Sequence, residues 1–323
     1  MNGGKPVYVS SSITPLKGER LTCTQSKLQW TDVNWNKVEK YVNRLQARIT
    51  KAVKEQKWHL VKRLQYLLTH SFYAKLLAVK RVTQNRGKRT AGVDGEKWIT
   101  LKSKMNAAHR ISDKRYKAKP SRRVYSPKPG TDKKRPLSIP TMYDRAMQAL
   151  YALSLSPVAE ATADPCSFGF RKYRSAQDAC QYAFICLSHK NSAQWVLEGD
   201  IKGCFDNINH EWLLGNIPMD KSILKQFLKA GFVYNRHLNP TKAGTPQGGI
   251  ISPILANMTL DGMGKAIATK YHASKSGKID KGNYNHEKVN FVRYADDCAP
   301  RSCTRDEGSA PRSLLAGAGF KPP

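Results

Sequence analysis

Three acidic residues follow short apolar stretches of the chain: Asp200 after residues 195–199, and Asp296 with Asp297 after residues 288–294. Successive side chains of a strand point to opposite faces, so Asp296 and Asp297 can converge only at a tight hairpin tip. Carboxylates that lie together repel, and the pKa of one rises unless a cation holds them. The three acids therefore predict a site for Mg²⁺, a hard cation that prefers oxygen ligands.

Such a site is suited to phosphoryl transfer. Two ions about 3.5–4 Å apart can hold the attacking and the leaving oxygens of an in-line displacement. An Asp-Asp pair by itself is more often part of a turn or a helix cap. Three acids at the ends of apolar stretches, in a strongly basic chain, favour the metal site.

The chain is strongly basic, and most of the charge lies in its first part. Its 323 residues include 55 Lys and Arg against 24 Asp and Glu, a net charge of +31 with a pI near 10.0. Residues 1–140 have 33 basic and 8 acidic side chains, or +25, whereas residues 141–323 have 22 and 16, or +6. This charge repels itself unless a polyanion neutralises it, and a phosphate backbone is the commonest such partner. The composition predicts nucleic-acid binding.

Several classes of protein are excluded by composition. The seven cysteines are an odd number without a Cys-x-x-Cys pair, which argues against a disulfide framework or a zinc site. No apolar run approaches the ~18 residues of a spanning helix, and the first residues contain no apolar segment of a secretory signal. We expect a protein of the bacterial cytosol or nucleoid that does not bind a membrane.

The spacing of apolar residues predicts the elements that position the acids. Steps of three and four residues from Trp35 to Gln84 predict a pair of basic helices. Residues 122–126 and 135–139 flank a basic segment with Pro and Gly, which predicts a β-hairpin. Other helices are predicted at residues 98–110, 142–155, 176–187, 222–230 and 250–268, and other strands at residues 195–200 and 288–294. This mixture is typical of an α+β domain.

Several motifs occur in an order that is typical of one family. Residues 91–95 read Ala-Gly-Val-Asp-Gly, 134–140 read Lys-Arg-Pro-Leu-Ser-Ile-Pro, and 200–205 read Asp-Ile-Lys-Gly-Cys-Phe. Residues 244–253 read Gly-Thr-Pro-Gln-Gly-Gly-Ile-Ile-Ser-Pro, and 294–297 read Tyr-Ala-Asp-Asp. Together they resemble the motifs of group II intron-encoded reverse transcriptases, also called maturases. The resemblance implies RNA-directed DNA synthesis on an α+β fold, a right-hand polymerase with fingers, palm and a basic helical N-terminal extension.

The resemblance also implies roles for the residues of the palm motifs. Asp200, Asp296 and Asp297 would bind two Mg²⁺ ions at the catalytic centre. Phe205 stands five residues after Asp200, where the family has an aromatic gate that presses on the deoxyribose and excludes a 2′-hydroxyl. Gln247 would lie beside the nascent base pair.

Charged residues near the motifs divide between substrate binding and structure. Lys134 and Arg135 in the fingers hairpin are expected to bind the incoming triphosphate, because charge-assisted hydrogen bonds suit phosphate; solvated hairpin charge is the alternative. We expect Arg145 to be a structural partner of Asp144. We expect Asp206 to cap a helix and not to be a further metal ligand.

Basic residues before the motifs predict the RNA contacts. By position, the helical extension matches the part of intron maturases that grips intron RNA and template, which makes Lys62 and Arg63 candidate RNA-binding residues. Arg86, Lys88 and Arg89, in a basic loop with Gly, are further candidates. RNA would be recognised through its phosphates, 2′-hydroxyls and shape. The implied partners are intron RNA, an RNA template with its DNA primer, and deoxynucleoside triphosphates.

The motifs also indicate boundaries: residues 1–84 for the extension, 85–195 for the fingers and 196–297 for the palm. Residues 298–323 depart from the family, because Pro300 lies where a returning strand needs N–H donors. We therefore expect a disordered or truncated tail, no return strand and no thumb. Helical faces that a thumb would cover could then pair in a homodimer.

Two other functions remain open from the sequence. A broken return strand would favour a non-catalytic maturase fragment that only binds RNA. Reverse transcriptases of the retron or diversity-generating type share the palm motifs, although the long basic extension favours the intron type. A cationic membrane-surface protein is disfavoured, because the helices lack a broad apolar face.

Overall fold

The computed structural model describes residues 28–127, 130, 132, 134–189, 192, 195–196, 198–274, 276–285 and 288–302. Residues 1–27 and 303–323 lie outside the described residues. Within them, no helix is both long enough and apolar enough to cross a membrane.

Helices and short strands follow each other along the described chain. The helices are α1 (Trp35–Lys54), α2 (Trp58–His70), α3 (Phe72–Gln84), α4 (Leu101–Arg110), α5 (Met142–Thr162), α6 (Ala176–Leu187), α7 (Cys204–Asn207), α8 (His210–Asn216), α9 (Lys221–Lys229), α10 (Ser252–Leu260), α11 (Met263–Tyr271) and α12 (Lys281–Tyr284). The strands are β1 (Ser121–Pro127), β2 (Lys134–Ile139), β3 (Trp195–Val196), β4 (Gly199–Asp200), β5 (Phe232–Tyr234), β6 (His237–Asn239), β7 (Asn290–Tyr294) and β8 (Asp297–Ser302). Single 3-10 turns lie at Trp30–Asp32 and Arg86–Arg89.

The first helices pack by the apolar faces that their spacing predicts. Val38, Val42 and Ile49 of α1 are buried against the rest of the core. Asn34 caps α1, because its Oδ1 accepts the N–H of Lys37 at 3.0 Å. The expectation of a pair of helices between residues 35 and 84 was wrong, since Ser71 is extended and separates α2 from α3.

Helix α5 is the centre of this packing. It contacts α1, α2, α3 and α10 and is buried over most of its surface. The Oγ1 of Thr141 accepts the N–H of Asp144 at 3.1 Å and begins the helix. The predicted helix ended at residue 155, whereas α5 continues to Thr162 with Pro157 inside it. Most of its buried residues are apolar, which is typical of a helix inside a core.

The first sheet contains the predicted hairpin. β1 and β2 are antiparallel, with Val124 opposite Leu137. β5 pairs in parallel with β1 and antiparallel with β6, which gives the order β2-β1-β5-β6. Residues 128, 129, 131 and 133 of the hairpin tip lie outside the described residues. The hairpin prediction is confirmed at both strands.

The second sheet contains the acidic strand ends. β8 lies between β7 on one side and the short strands β3 and β4 on the other, and each pairing is antiparallel. The expectation that Pro300 prevents a return strand was wrong, because Pro300 lies in β8 opposite Phe291. β4 pairs with residues 297–298 and β3 with residues 301–302. The N–H that Pro300 lacks therefore falls in the gap between these two pairings, where no ladder bond is lost.

The helix predicted over residues 250–268 is interrupted. α10 ends at Leu260, and Gly262 precedes α11 with φ of +104°, a conformation that glycine adopts without steric cost. The Oδ2 of Asp164 accepts the N–H groups of Gly262 and Gly264, both at 2.9 Å. This break leaves Asp261 beside β7.

Candidate active site

A two-residue turn joins β7 to β8 and places two of the predicted acids. Tyr294 lies opposite Asp297 across the hairpin, so Ala295 and Asp296 form the turn. Ala295 has φ of +59°, the left-handed conformation found in the tightest hairpin turns. On its other side, Asp297 is the cross-strand neighbour of Asp200 in β4. The three acids therefore lie at one end of one sheet.

The negative charge at this end of the sheet is only partly balanced. Burial raises the pKa of Asp296 above its ordinary value, and repulsion from Asp297 and Asp200 raises it further. The guanidinium of Arg135, at the start of β2, acts in the opposite direction and lowers this pKa. Arg135 is therefore within electrostatic reach of Asp296.

The donor chemistry of these acids fits a hard divalent cation. Carboxylate oxygens are the ligands that Mg²⁺ prefers, and their mutual repulsion is relieved when a cation binds. No three His, Cys, Asp or Glu side chains among the described residues are gathered closely enough to form a metal site by themselves. A bound ion would have to draw the carboxylates of Asp200, Asp296 and Asp297 together.

The glycine-rich segment at residues 244–249 packs on the short helix α7. The N–H of Thr245 donates to the carbonyl oxygen of Phe205 at 2.6 Å, and Nε2 of Gln247 donates to Oδ2 of Asp206 at 3.1 Å. The expectation that Asp206 caps a helix was wrong, because it lies inside α7 and Asn209 caps the next helix. Asp206 instead orients Gln247. Helix α7, which follows Asp200, thus contains Phe205 and also binds the side chain of Gln247.

A backbone hydrogen bond connects this segment to the predicted fingers hairpin. The N–H of Ser138 in β2 donates to the carbonyl oxygen of Gln247 at 2.7 Å. Gly248 has φ of +103°, and a Cβ there would lie 2.7 Å from the carbonyl oxygen of Ser138. Only glycine permits this approach. Lys134 and Arg135 are exposed at the start of the same strand.

A cavity of about 220 Å³ lies between the hairpin and α7, and its lining includes a residue that the sequence analysis missed. The guanidinium carbon of Arg123 lies 3.8 Å from the centre of the Phe232 ring. Its charge lowers the pKa of Asp206, although burial raises that pKa by more. The buried Nε of Arg123 has no hydrogen-bond partner among the described residues. The sequence feature that could have revealed Arg123 is a basic residue within a strand that is otherwise half-buried.

Two exposed aromatic residues, Phe170 and Tyr173, follow Gly169 in the chain and were also missed by the sequence analysis. Phe170 and Tyr173 both have φ of +59°, and their side chains are 54% and 101% exposed. The ring of Phe170 meets the ring of Phe205 edge-on, with centroids 6.1 Å apart. Lys172 lies between Phe170 and Tyr173 in the chain. An exposed loop of aromatic and basic residues is suited to nucleic acid, because bases stack on aromatic rings.

Two family models match this chain. The N-terminal domain of reverse transcriptase matches residues 30–111, and reverse transcriptase (RNA-dependent DNA polymerase) matches residues 126–315. The chain belongs to the reverse transcriptase family. The second match continues beyond Asp297, so the expectation that the resemblance stops there was wrong. The α+β class expected for this family is confirmed by the helices and the two sheets.

The relatives of this chain include intron-encoded proteins. The group II intron-encoded protein LtrA of Lactococcus lactis subsp. cremoris is 35% identical over 233 residues, which are 68% of this chain and 37% of LtrA. Protein YkfC of Escherichia coli K12 is 29% identical over 267 residues, 73% of this chain and 69% of YkfC. A chain of a solved partial Cas6-RT-Cas1--Cas2 complex matches with 20% identity and a TM-score of 0.41, over 79% of this chain and 41% of that chain.

This chain is therefore homologous to group II intron-encoded proteins, as its motifs predict. It spans little more than a third of the length of LtrA.

The basic residues expected to bind RNA lie on the surface of the structure, and in the sequence they precede the three acids. Lys62 and Arg63 are exposed on α2, and Lys88 and Arg89 are exposed on the 3-10 turn that follows α3. The side chain of Arg86 lies outside the described residues. The structure thus leaves four of the five candidates open to a ligand.

Arg145 has a structural role, but not the expected one. Its guanidinium donates to the carbonyl oxygens of Gly87 and Thr90 at 3.0 and 2.8 Å. Asp144 instead accepts the hydroxyl of Tyr116 at 2.7 Å. The expected Asp144–Arg145 partnership was wrong, and Arg145 holds the basic loop after α3 against the start of α5.

Proposed function

We propose that this chain carries out RNA-directed DNA synthesis as the fingers and palm of a group II intron maturase. The observation that carries the proposal is the register of the second sheet, in which Asp200 lies opposite Asp297 and beside the turn that bears Asp296. Homology to LtrA supports the intron type over the retron and diversity-generating types. The strand β8 removes the observation that favoured a fragment without catalytic activity.

The proposed chemistry is nucleotidyl transfer at the three acids. Asp200, Asp296 and Asp297 would hold two Mg²⁺ ions. When bound, these ions supply the positive charge that lowers the pKa of a primer 3′-hydroxyl and stabilises departing pyrophosphate. Arg135, within reach of Asp296, would bind the triphosphate together with Lys134.

Other residues of the site would select and orient the nucleotide. Phe205 would contact the sugar, and its ring is supported edge-on by Phe170. Gln247 would lie beside the base pair, held by Asp206 on one side and by the backbone of Ser138 on the other. In this assignment residues 85–195 form the fingers and residues 196–297 the palm.

The basic helices, within residues 1–84, would bind intron RNA and template. Lys62 and Arg63 are exposed on α2, as electrostatic contact with phosphates requires. The proposed partners are intron RNA, an RNA template with DNA primer, and deoxynucleoside triphosphates.

The test of this function is binding to a folded group II intron RNA across a salt series, with single-nucleotide primer extension in Mg²⁺ on the same samples. We expect extension, and binding that weakens steeply between roughly 50 and 200 mM salt. Lys62→Glu with Arg63→Glu should lower the slope of log K against log salt by about 0.7–0.9 for each phosphate that these side chains no longer neutralise.

Lys225→Glu with Lys229→Glu, on exposed positions of α9, is the control with the same change in net charge. Its salt slope should equal that of the wild-type chain. An unaltered slope in the Lys62 and Arg63 variant would place the RNA on another surface. Tight binding without any extension would contradict the polymerase and leave an RNA-binding module.

Phe205→Ala tests the proposed sugar contact. Loss of the ring should let a 2′-hydroxyl enter, and we expect the preference for deoxyribonucleotides over ribonucleotides to fall by about 10–200-fold, the range for a changed apolar contact. The measurement is single-nucleotide addition with dNTP and the matching rNTP. Phe184→Ala, which removes a ring that is 69% exposed on α6, is the control. An unchanged ratio in Phe205→Ala would remove this residue as the gate.

A further inference from the structure

Arg293 is a cationic side chain buried completely inside this fold. It lies in β7, two residues before the β7–β8 turn of Ala295 and Asp296, and its exposed fraction is 0%. Its NH2 donates to Oδ1 of Asp261 at 2.7 Å, and its NH1 donates to Oδ1 of Asn257 at 3.2 Å. The same NH1 donates to the carbonyl oxygen of Ala295 at 3.2 Å. Arg293 thus connects the end of α10 to the backbone of the turn.

The opposite side of the turn is held by a segment that contacts the same residues. A Cβ on Gly169 would lie 2.3 Å from the amide nitrogen of Ala295, so the two backbones are in close contact. The carbonyl oxygen of Gly169 accepts Nδ2 of Asn257 at 2.8 Å. Asn257 therefore bonds both to Arg293 and to the segment on which the turn packs.

The backbone of Arg293 is also bonded on both sides. Its N–H donates to the carbonyl oxygen of Cys166 at 2.9 Å, and its carbonyl oxygen accepts the N–H of Phe168 at 2.9 Å. These bonds fix the strand up to Tyr294. The bond from the Arg293 side chain to Ala295 extends that order into the turn, where Ala295 has its left-handed conformation.

A buried ion pair is a costly way to fill a core. Apolar residues of similar volume often give equal or greater stability, because two charges lose their hydration on burial. Nε of Arg293 and Oδ2 of Asp261 are buried without a hydrogen-bond partner among the described residues, which adds to that cost. An apolar pair, however, could not donate to the carbonyl oxygen of Ala295.

We propose that Arg293 is a positioning residue, which with Asp261 and Asn257 sets the conformation of the β7–β8 turn and so the direction of the Asp296 carboxylate. The inference rests on the proposed function in that Asp296 is taken as a catalytic acid. Arg293 itself does not touch the substrate.

The test separates the stability of the ion pair from its effect on the turn. Arg293→Met leaves Asp261 buried and unpaired, so this variant should unfold at a lower temperature than the wild-type chain. Adding Asp261→Leu should restore most of that stability. Single-nucleotide addition should fall about 100-fold in both variants, as expected for a reacting group displaced by about 1 Å. Recovery of addition together with stability in the double variant would overturn the proposal.

Two measurements keep this test independent of the polymerase activity. Amide hydrogen exchange at residues 293–297 should be faster in the double variant than in the wild-type chain, and Mn²⁺ binding followed by electron paramagnetic resonance should be weaker. Ile49→Ala, at a fully buried position of α1, is the control for reduced stability, and it should leave both unchanged. If the wild-type chain does not extend primers, the proposed function fails. Unchanged exchange in the turn would overturn the role of Arg293 in either case.

Discussion

Replacing Asp296 and Asp297 together by Asn is expected to abolish primer extension by this chain. Both carboxylates lie at the end of the second sheet beside Asp200, where we propose that they hold Mg²⁺. Loss of the ions would remove several kcal/mol of transition-state stabilisation, which corresponds to a decrease of about 10³-fold or more in the rate. Single-turnover addition of one nucleotide measures this effect.

The same double variant should keep its fold and its RNA affinity. Asn has the size of Asp, and removing two like charges also removes repulsion at Asp296, so the thermal unfolding temperature should be unchanged or higher. Asp32→Asn with Glu211→Gln, at exposed positions of other elements, removes the same charge and should extend primers normally. Extension by the Asp296 and Asp297 variant would show that these acids are not the metal site.

Gly169→Ala is the second change with a large expected effect. The new Cβ would lie 2.3 Å from the amide nitrogen and 3.0 Å from Cα of Ala295. These are backbone atoms that cannot rotate away, so the turn must shift. We expect about 100-fold slower nucleotide addition from the displaced Asp296, together with about 1–3 kcal/mol lower stability from overpacking.

Gly215→Ala is the matched control for this substitution. Gly215 lies in α8, and a Cβ there would meet nothing within 4 Å. Alanine is the better helix former by roughly 0.8–1 kcal/mol, so this variant should be at least as stable as the wild-type chain and equally active. Full activity and stability of Gly169→Ala would contradict the close packing of residue 169 on the turn.

Local patterns were enough to predict the hairpin of β1 and β2, the apolar faces of the first helices and the acids at the ends of two strands. Each of these depends on residues close together in the chain, with turn residues and apolar spacing that act over a few positions. The order of the motifs, ending in Tyr-Ala-Asp-Asp at residues 294–297, was likewise enough to indicate the reverse transcriptase family.

Where long-range contacts compete with local preference, the sequence was a poorer guide. Proline disfavours a central strand, yet Pro300 lies in β8 because its missing N–H falls between the pairings with β3 and β4. The residues around Asp206 suggested a helix cap, but its side chain accepts a hydrogen bond from Gln247, which is 41 residues away in the chain. Arg145 is adjacent to Asp144, yet its guanidinium donates to carbonyl oxygens 55 and 58 residues away, as well as to that of Pro140.

By itself, the sequence determined that the chain is basic, that three acids lie at strand ends, and that its motifs follow the order of the reverse transcriptase family. Only the tertiary structure decided that Asp200 and Asp297 are cross-strand neighbours, since a register over 97 positions depends on the packing of the whole sheet. The same holds for Arg293, which the sequence presents as one more basic residue. Its burial against Asp261 and Ala295 follows from the break between α10 and α11, because that break brings a carboxylate to the buried face of β7.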